Sequence, residues 1–392
     1  MGDNSQRAEI RALTGIRAFA ALWVVMIHLA YALPTSLDGV RWFASLGYLG
    51  VDLFFVLSGF IISYNYWPSF VKPSALAYRR FLGLRLARLY PVHMFTLLAS
   101  ALLMLSVQVA GLNQRVAQAF VTHKDFTDWT GTNFIANLLM VQAWGPYHVV
   151  SWNNPSWSVS CEWFAYLIFP LLALLRPQRL PAVVSIALAG LLVSIVASVA
   201  QAGGQSPFFM LIRVSCEFMA GCLIYHAYIR YDGRAASSRM LCFGTFALLV
   251  GVLILLWNQR GIASDWAAVT FPLLILGIAV SSGAVASTLG SKPAVYWGRV
   301  SYSLYMTHGV VLWPLKALAP IRETATTLHR SALLGFYLIV IGSIAAMTYH
   351  FVEEPARKWL RRRVGRISRL PSDRAPHRTG TDCVTVDAAA NQ

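Results

Sequence analysis

Apolar residues run along this chain in stretches of about 20, the length a helix needs to cross a bilayer core of roughly 30 Å. Ten such stretches stand out, at about 12–31, 46–66, 86–108, 155–175, 182–201, 208–229, 240–257, 266–283, 295–318 and 331–352. Clusters of Pro, Gly and charge separate them, as at Pro34, Lys72–Pro73, Arg176–Pro181 and Gly203–Pro207. The longest break, 109–154, mixes polar residues with Trp129, Trp144 and Tyr147 and reads as re-entrant or interfacial. No repeat of 20–50 residues and no inverted repeat is visible. The pattern predicts an all-α, polytopic membrane protein of about ten transmembrane helices.

Composition agrees. Of 392 residues, 57% are hydrophobic and only 12% charged, with a mean hydropathy of +0.56. A soluble domain carries about 25% charged residues, so a soluble enzyme, a disordered chain and a disulfide-stapled module are excluded. The five cysteines form no CxxC, and four lie in apolar stretches, which implies neither metal nor disulfides.

The net charge of +16 would suggest nucleic acid in a soluble protein. In a membrane protein it is a topology signal. With the N-terminus in the cytoplasm, 23 basic residues fall in cytoplasmic segments and 7 in outer loops. The split predicts both termini inside and no nucleic-acid partner. Residues 1–355 read as one membrane domain. Residues 356–392 read as a disordered basic tail facing anionic lipids.

Ionisable residues inside spans cost roughly 2.5–3.5 kcal/mol each, so each needs a reason. Arg17 and His28, 11 residues apart, share one face of the first span, separated by about 16 Å along its axis. Asp52 lies in the second span within a Gly- and Ser-containing stretch suited to close packing. Arg85 and Arg88, at i,i+3, form a cationic pair at the mouth of the third, a pattern that also holds phosphate. Glu162 follows Ser158 by four residues in the fourth span. Arg213 and Glu217, at i,i+4, read as a self-neutralising pair. Ser301, Tyr305 and His308 share a face of the ninth span, and Glu353 sits where Pro355 is expected to close the tenth. His377 and Asp382 fit an H-x₄-D pattern but lie in the tail, and no G-x-S-x-G or P-loop motif occurs.

Six of these segments, in order, resemble the acyltransferase-3 family of integral membrane acyltransferases. They are Arg17-x₁₀-His28, Gly50-Val-Asp-Leu-Phe-Phe-Val-Leu-Ser-Gly-Phe60, Arg85-x-x-Arg88 with Tyr90-Pro91, Trp157-Ser-Val-Ser-Cys-Glu162, Ser301-Tyr-Ser-Leu-Tyr-Met-Thr-His308 and Glu353-Glu-Pro355. One departure stands out: many members carry a second acid beside the first, whereas Glu162 is followed by Trp163 and Phe164. The resemblance implies a cytoplasmic acyl-CoA donor, acetyl-CoA by family frequency, and an acceptor hydroxyl on a surface carbohydrate or glycolipid at the inner membrane.

A hydroxyl needs a base to attack a thioester, and a histidine with a pKa near ~6.5 suits that task. His28 is therefore expected to act as general base, or else as a nucleophile that relays the acyl group. Glu162, Asp52 and His308 are candidates to orient it. Ser301, Tyr302 and Tyr305 are candidate oxyanion donors. Arg17, Arg85 and Arg88 are the candidate acyl-CoA site. The rival readings are a proton-coupled secondary transporter using His28, Asp52, Glu162 and Glu217, acylation of a lipid or macrolide acceptor, and a ligand sensor without chemistry.

Overall fold

A backbone in hydrocarbon must satisfy its own N–H and C=O groups, so apolar stretches of this length become helices. The computed structural model describes residues 9–70, 74–109, 129–145, 151–175, 177–201, 207–231, 235–258, 264–321 and 325–367. Among them every regular element is helical. The order begins α1 (Arg11–Ile27), α2 (Asp38–Ser45), α3 (Leu49–Phe70), α4 (Ala75–Val109), α5 (Gly131–Leu138), α6 (Ser156–Leu174) and α7 (Ala182–Gln201). It continues with α8 (Pro207–Tyr228), α9 (Ala235–Asn258), a 3-10 segment (Ser264–Thr270) leading into α10 (Phe271–Ala279), and α11 (Ala284–Leu289). Last come α12 (Lys292–Leu318), α13 (Thr327–Thr348), a π-helical turn (Tyr349–Glu353) and α14 (Glu354–Ile367).

Each predicted apolar stretch falls largely on helix, and among the described residues six helices are long and apolar enough to cross a membrane. Helices α1 and α12 are not among the six. The first is only 17 residues long and the second interleaves its apolar residues with Arg299, Ser301, Tyr302, Tyr305 and His308. These two helices carry much of the candidate site.

The centre of the bundle is α3, whose most apolar window is 72% buried, against 28% for α7 and α13 at the periphery. Its contact with α8 is backbone on backbone. A Cβ on Gly59 would stand 1.9 Å from the Phe218 carbonyl oxygen, and one on Gly221 would stand 2.0 Å from that of Val56. Only glycine allows helices so near. Helix α1 meets α12 the same way, where a Cβ on Gly298 would lie 1.9 Å from the Thr14 carbonyl oxygen. A second cluster, with Val25, Val300, Leu304, Tyr337 and Ile341 at its core, packs α1 and α12 against α13.

Three expectations need correction. Helix α4 starts at Ala75 rather than near residue 86, so Arg79, Arg80, Arg85 and Arg88 lie within one helix of about 52 Å. Pro355 does not close the last helix, because the chain continues helical to Ile367. Proline lacks the N–H that would bond back one turn, and the π turn Tyr349–Glu353 takes up that break ahead of Pro355 at the start of α14. Residues 356–367 are accordingly not a disordered tail. They form an amphipathic helix that packs on α4, with Val364 against Gly83. Residues 368–392, and 110–128 and 146–150 of the expected re-entrant segment, lie outside the described residues.

Candidate active site

Two helix ends bring the histidines together. His28 caps the C-terminus of α1 and is half-buried. His308 lies two-thirds along α12 and is buried. Because α1 and α12 are locked side by side at Gly298, the two rings face each other with centroids 5.2 Å apart. The His308 Nδ1 is 2.6 Å from the Tyr305 carbonyl oxygen. A carbonyl can only accept, so Nδ1 carries the proton and the lone pair of neutral His308 is on Nε2. That Nε2 is buried without a hydrogen-bond partner.

One helical turn back along α12 begins a cavity of about 120 Å³. Seven of the eleven candidate residues line it: Arg17, Arg85, Arg88, Glu162, Ser301, Tyr302 and Tyr305. Ser58 and Tyr166, which the sequence did not single out, line it as well. Ser58 Oγ donates to Glu162 Oε1 at 2.7 Å, and the Tyr166 hydroxyl donates to the same oxygen. Arg85 donates from Nη2 to the Tyr66 hydroxyl at 2.5 Å, with its guanidinium over that ring, while its Nε is buried without a partner. Arg17 completes the cationic wall. Glu162 is the carboxylate whose charge acts on both Arg17 and Arg85.

The remaining candidates are engaged elsewhere. Asp52 is bound to an arginine. Its Oδ1 accepts from Arg213 Nε at 2.8 Å and from Nη2 at 2.6 Å. Glu217, the expected partner of Arg213, stands farther off at 3.6 Å. The i,i+4 spacing allowed that pair, but α3 packed on α8 offers the arginine a nearer carboxylate. Arg88 forms an ion pair with fully buried Glu353, which also accepts from Ser303 Oγ at 2.6 Å and has Arg357 at 3.7 Å. Its charge is thus met by protein before any ligand.

The three candidate oxyanion donors have also spent their single protons. Ser301 Oγ donates to the Gly298 carbonyl at 2.8 Å and Tyr302 to that of Leu89 at 2.6 Å. Ser158 gives its proton to the Pro155 carbonyl, so Tyr305 is the donor in the 2.7 Å bond between their hydroxyls. These groups brace α12 against α4 and α6. Among the described residues that line the cavity, Arg85 keeps a buried Nε–H without a partner.

Another group outside the sequence reading ties the segment before α6 to the histidine helix. Buried Asn153 donates from Nδ2 to the Met306 carbonyl at 3.1 Å, two residues before His308. No group of three or more metal-ligating side chains occurs among the described residues.

Known proteins carry related chains. The chain is 33% identical over 169 residues to acyltransferase MdmB of Streptomyces mycarofaciens, covering 42% of this chain and 39% of that one. It is 26% identical over 383 residues to the putative peptidoglycan O-acetyltransferase YrhL of Bacillus subtilis, covering 89% and 55%. It is 23% identical over 372 residues to the O-acetyltransferase OatA of Staphylococcus aureus, covering 88% and 57%. The chain thus spans about half the length of these relatives. No solved structure matches it. A family profile described as an acyltransferase domain matches residues 10–351, nearly all of the membrane helices that build the site, and the chain belongs to this acyltransferase-3 family.

Proposed function

We propose that this chain is a multi-pass O-acyltransferase of the bacterial inner membrane. It moves an acyl group, acetyl by preference, from cytoplasmic acyl-CoA to a hydroxyl of a carbohydrate acceptor. The observation that carries this reading is the facing pair His28–His308, whose His308 ring lies 5.9 Å from that of Tyr305, a residue lining the cavity walled by Arg17 and Arg85. Phosphates of CoA meet guanidinium groups, and the thioester reaches toward imidazole. His28 takes the proton of the acceptor hydroxyl as its oxygen attacks the thioester carbonyl. The C–S bond breaks, an ester C–O bond forms, and the proton passes to the departing CoA thiolate. The acetyltransferase names of two relatives support the acetyl group, and the peptidoglycan in one supports a carbohydrate acceptor.

A transporter would need its carboxylates connected into one relay. Asp52 and Glu217 instead gather on Arg213, while Glu162 is held by Ser58 and Tyr166, an arrangement that favours the transferase.

Both termini are assigned to the cytoplasm on the distribution of basic residues, so acylation would occur outside without CoA crossing. Purified protein in sealed inside-out vesicles, given radiolabelled acyl-CoA outside and acceptor only in the lumen, tests this. Labelled luminal acceptor is expected. Label only on acceptor supplied from the CoA side would overturn the route.

Arg85→Ala is expected to raise the apparent KM for acyl-CoA about tenfold or more, with kcat much less affected. A phosphate contact is made equally in ground and transition states. Arg85→Lys should recover only part, since lysine cannot form the two-pronged contact. An unchanged donor KM would remove Arg85 from the donor site.

A further inference from the structure

A second cavity, a groove of about 380 Å³, runs between α1, α12 and α13. Its walls are Phe19 and Leu22 of α1, Trp297 and Leu304 of α12, and Leu338 and Gly342 of α13. None of the residues lining it bears a charge, a hydroxyl or an amide side chain. It shares no lining residue with the cavity that holds Arg17 and Arg85. Yet Ala18 follows Arg17 and Leu304 precedes Tyr305, so the α1–α12 pair walls both spaces.

Small residues make the room. A Cβ on Gly342 would already lie 3.4 Å from the Trp297 ring. Buried Val25 and Ile341 close the floor, while Phe19, Leu22 and Trp297 are 38–45% exposed and leave the outer side open. Water finds no hydrogen-bond partners in such a space. Left empty, the walls would lack dispersion contacts on one side. In a bilayer the groove therefore takes up a hydrocarbon chain.

Length and charge select the chain. Along α12 the lining runs from Ala294 to Leu304, about 15 Å, which is half of a core of roughly 30 Å and so the depth of one leaflet. The shallow end begins at Pro293, and Lys292 beside it is exposed and makes no ion pair among the described residues. Arg11 lies against Gly290, two residues before Lys292, and donates from Nε to the Gly290 carbonyl at 2.9 Å. Arg299 pairs with Glu9 at 2.7 Å, and Glu354 is taken by Lys358 at 2.8 Å. Arg11, Lys292 and Arg299 thus meet one carboxylate, Glu9, and the surplus at this end is positive. The Tyr296 hydroxyl and the His350 ring, 3.2 Å apart and both exposed, stand one turn along from Pro293. Basic groups at the mouth of an apolar cleft between helices suit an anionic headgroup.

We propose that this groove holds one acyl chain of an anionic glycerophospholipid, with its phosphate received by Lys292 and Arg11. The basic-residue split assigns that headgroup to the cytoplasmic leaflet. The lipid is held and not acylated, so the proposal does not rest on the transferase reading. Its chain backs the α1–α12 wall whose other side carries Arg17 and Tyr305.

The test is native mass spectrometry of full-length protein in mild detergent, offered phosphatidylglycerol and phosphatidylethanolamine at equal concentration. About one phosphatidylglycerol per chain is expected to stay bound, several-fold over phosphatidylethanolamine. Gly342→Leu fills the groove and should lower that occupancy at least fivefold. Lys292→Glu should abolish the preference between the two lipids. Gly190→Leu, on α7 where a Cβ meets nothing within 4 Å, should bind as wild type does. A cooperative melting transition checks that each variant folds. In wild type, phosphatidylglycerol with a diazirine in its acyl chain should cross-link to α1, α12 or α13 at the groove, a result that needs no variant. Absence of bound phosphatidylglycerol, equal binding of the two lipids, undiminished binding in folded Gly342→Leu, or cross-links confined to other helices overturns the proposal. So does displacement of the phospholipid by equimolar palmitoyl-CoA but not by acetyl-CoA, which would give the groove to a long donor chain. None of these measurements uses acyl transfer, so a failure of the transferase reading leaves them intact.

Discussion

Replacing His28 with alanine is expected to lower acyl transfer by about 10²–10⁴-fold, the usual contribution of a positioned general base. Its ring faces His308 at 5.2 Å, and the tautomer of His308 is fixed by the Tyr305 carbonyl. The His308 ring lies 5.9 Å from that of Tyr305, which lines the cavity, so the pair stands beside the cavity. The fold should tolerate the change. His28 is the C-cap of α1, and its cap contacts are made by backbone N–H to the Met26 and Val25 carbonyls. Alanine keeps those contacts. Initial rates with labelled acyl-CoA, normalised to protein in the membrane fraction, decide the matter. Activity within a few-fold of wild type would remove His28 from the chemistry. Loss of the protein from the membrane would make its role structural.

The sequence carried the helices well, because a bilayer leaves a long apolar run almost no alternative to a helix. It also carried the same-helix relations. Tyr305 and His308, spaced i,i+3, do lie together, and the Nδ1 bond runs between them. Partners on different helices were another matter. Nothing local to Asp52 points to Arg213, 161 positions away, or links Arg88 to Glu353. Those pairings depend on which helices pack, and packing was set by glycines such as Gly59 and Gly221 whose counterparts the sequence does not name. Ser58 was read as a small residue for close approach, and its bond to Glu162 shows the same residue serving polarity as well. Tyr166 had a visible signal in its i+4 spacing from Glu162, since such pairs meet on a helix face. Where the Ser301, Tyr302 and Tyr305 protons go was not legible either: a hydroxyl has one proton, and sequence does not say which acceptor it meets.

Arg88→Ala is expected to behave unlike Arg85→Ala, although the two arginines are one turn apart and read alike in sequence. Arg85 donates to the Tyr66 hydroxyl and keeps a buried Nε–H without a partner. Arg88 neutralises Glu353, a carboxylate with no exposed surface at a π turn. Removing one partner of a buried pair strands the other, at a cost of about 3–5 kcal/mol. Arg357, 3.7 Å from the same carboxylate, should hold the loss near the lower figure. The helices that come loose are α4, α12 and α14, which meet at Glu353 through Arg88, Ser303 and Arg357. The expected result is therefore a less stable protein with low yield and low kcat, and a donor KM that changes little in the fraction that folds. Glu353→Gln in the Arg88→Ala background removes the stranded charge and should restore much of the lost stability, a coupling that a double-mutant cycle of thermal unfolding in detergent measures directly. If Arg88→Ala instead leaves the melting temperature unchanged and raises the acyl-CoA KM as Arg85→Ala does, then the ion pair opens to receive the ligand and Arg88 belongs to the donor site after all.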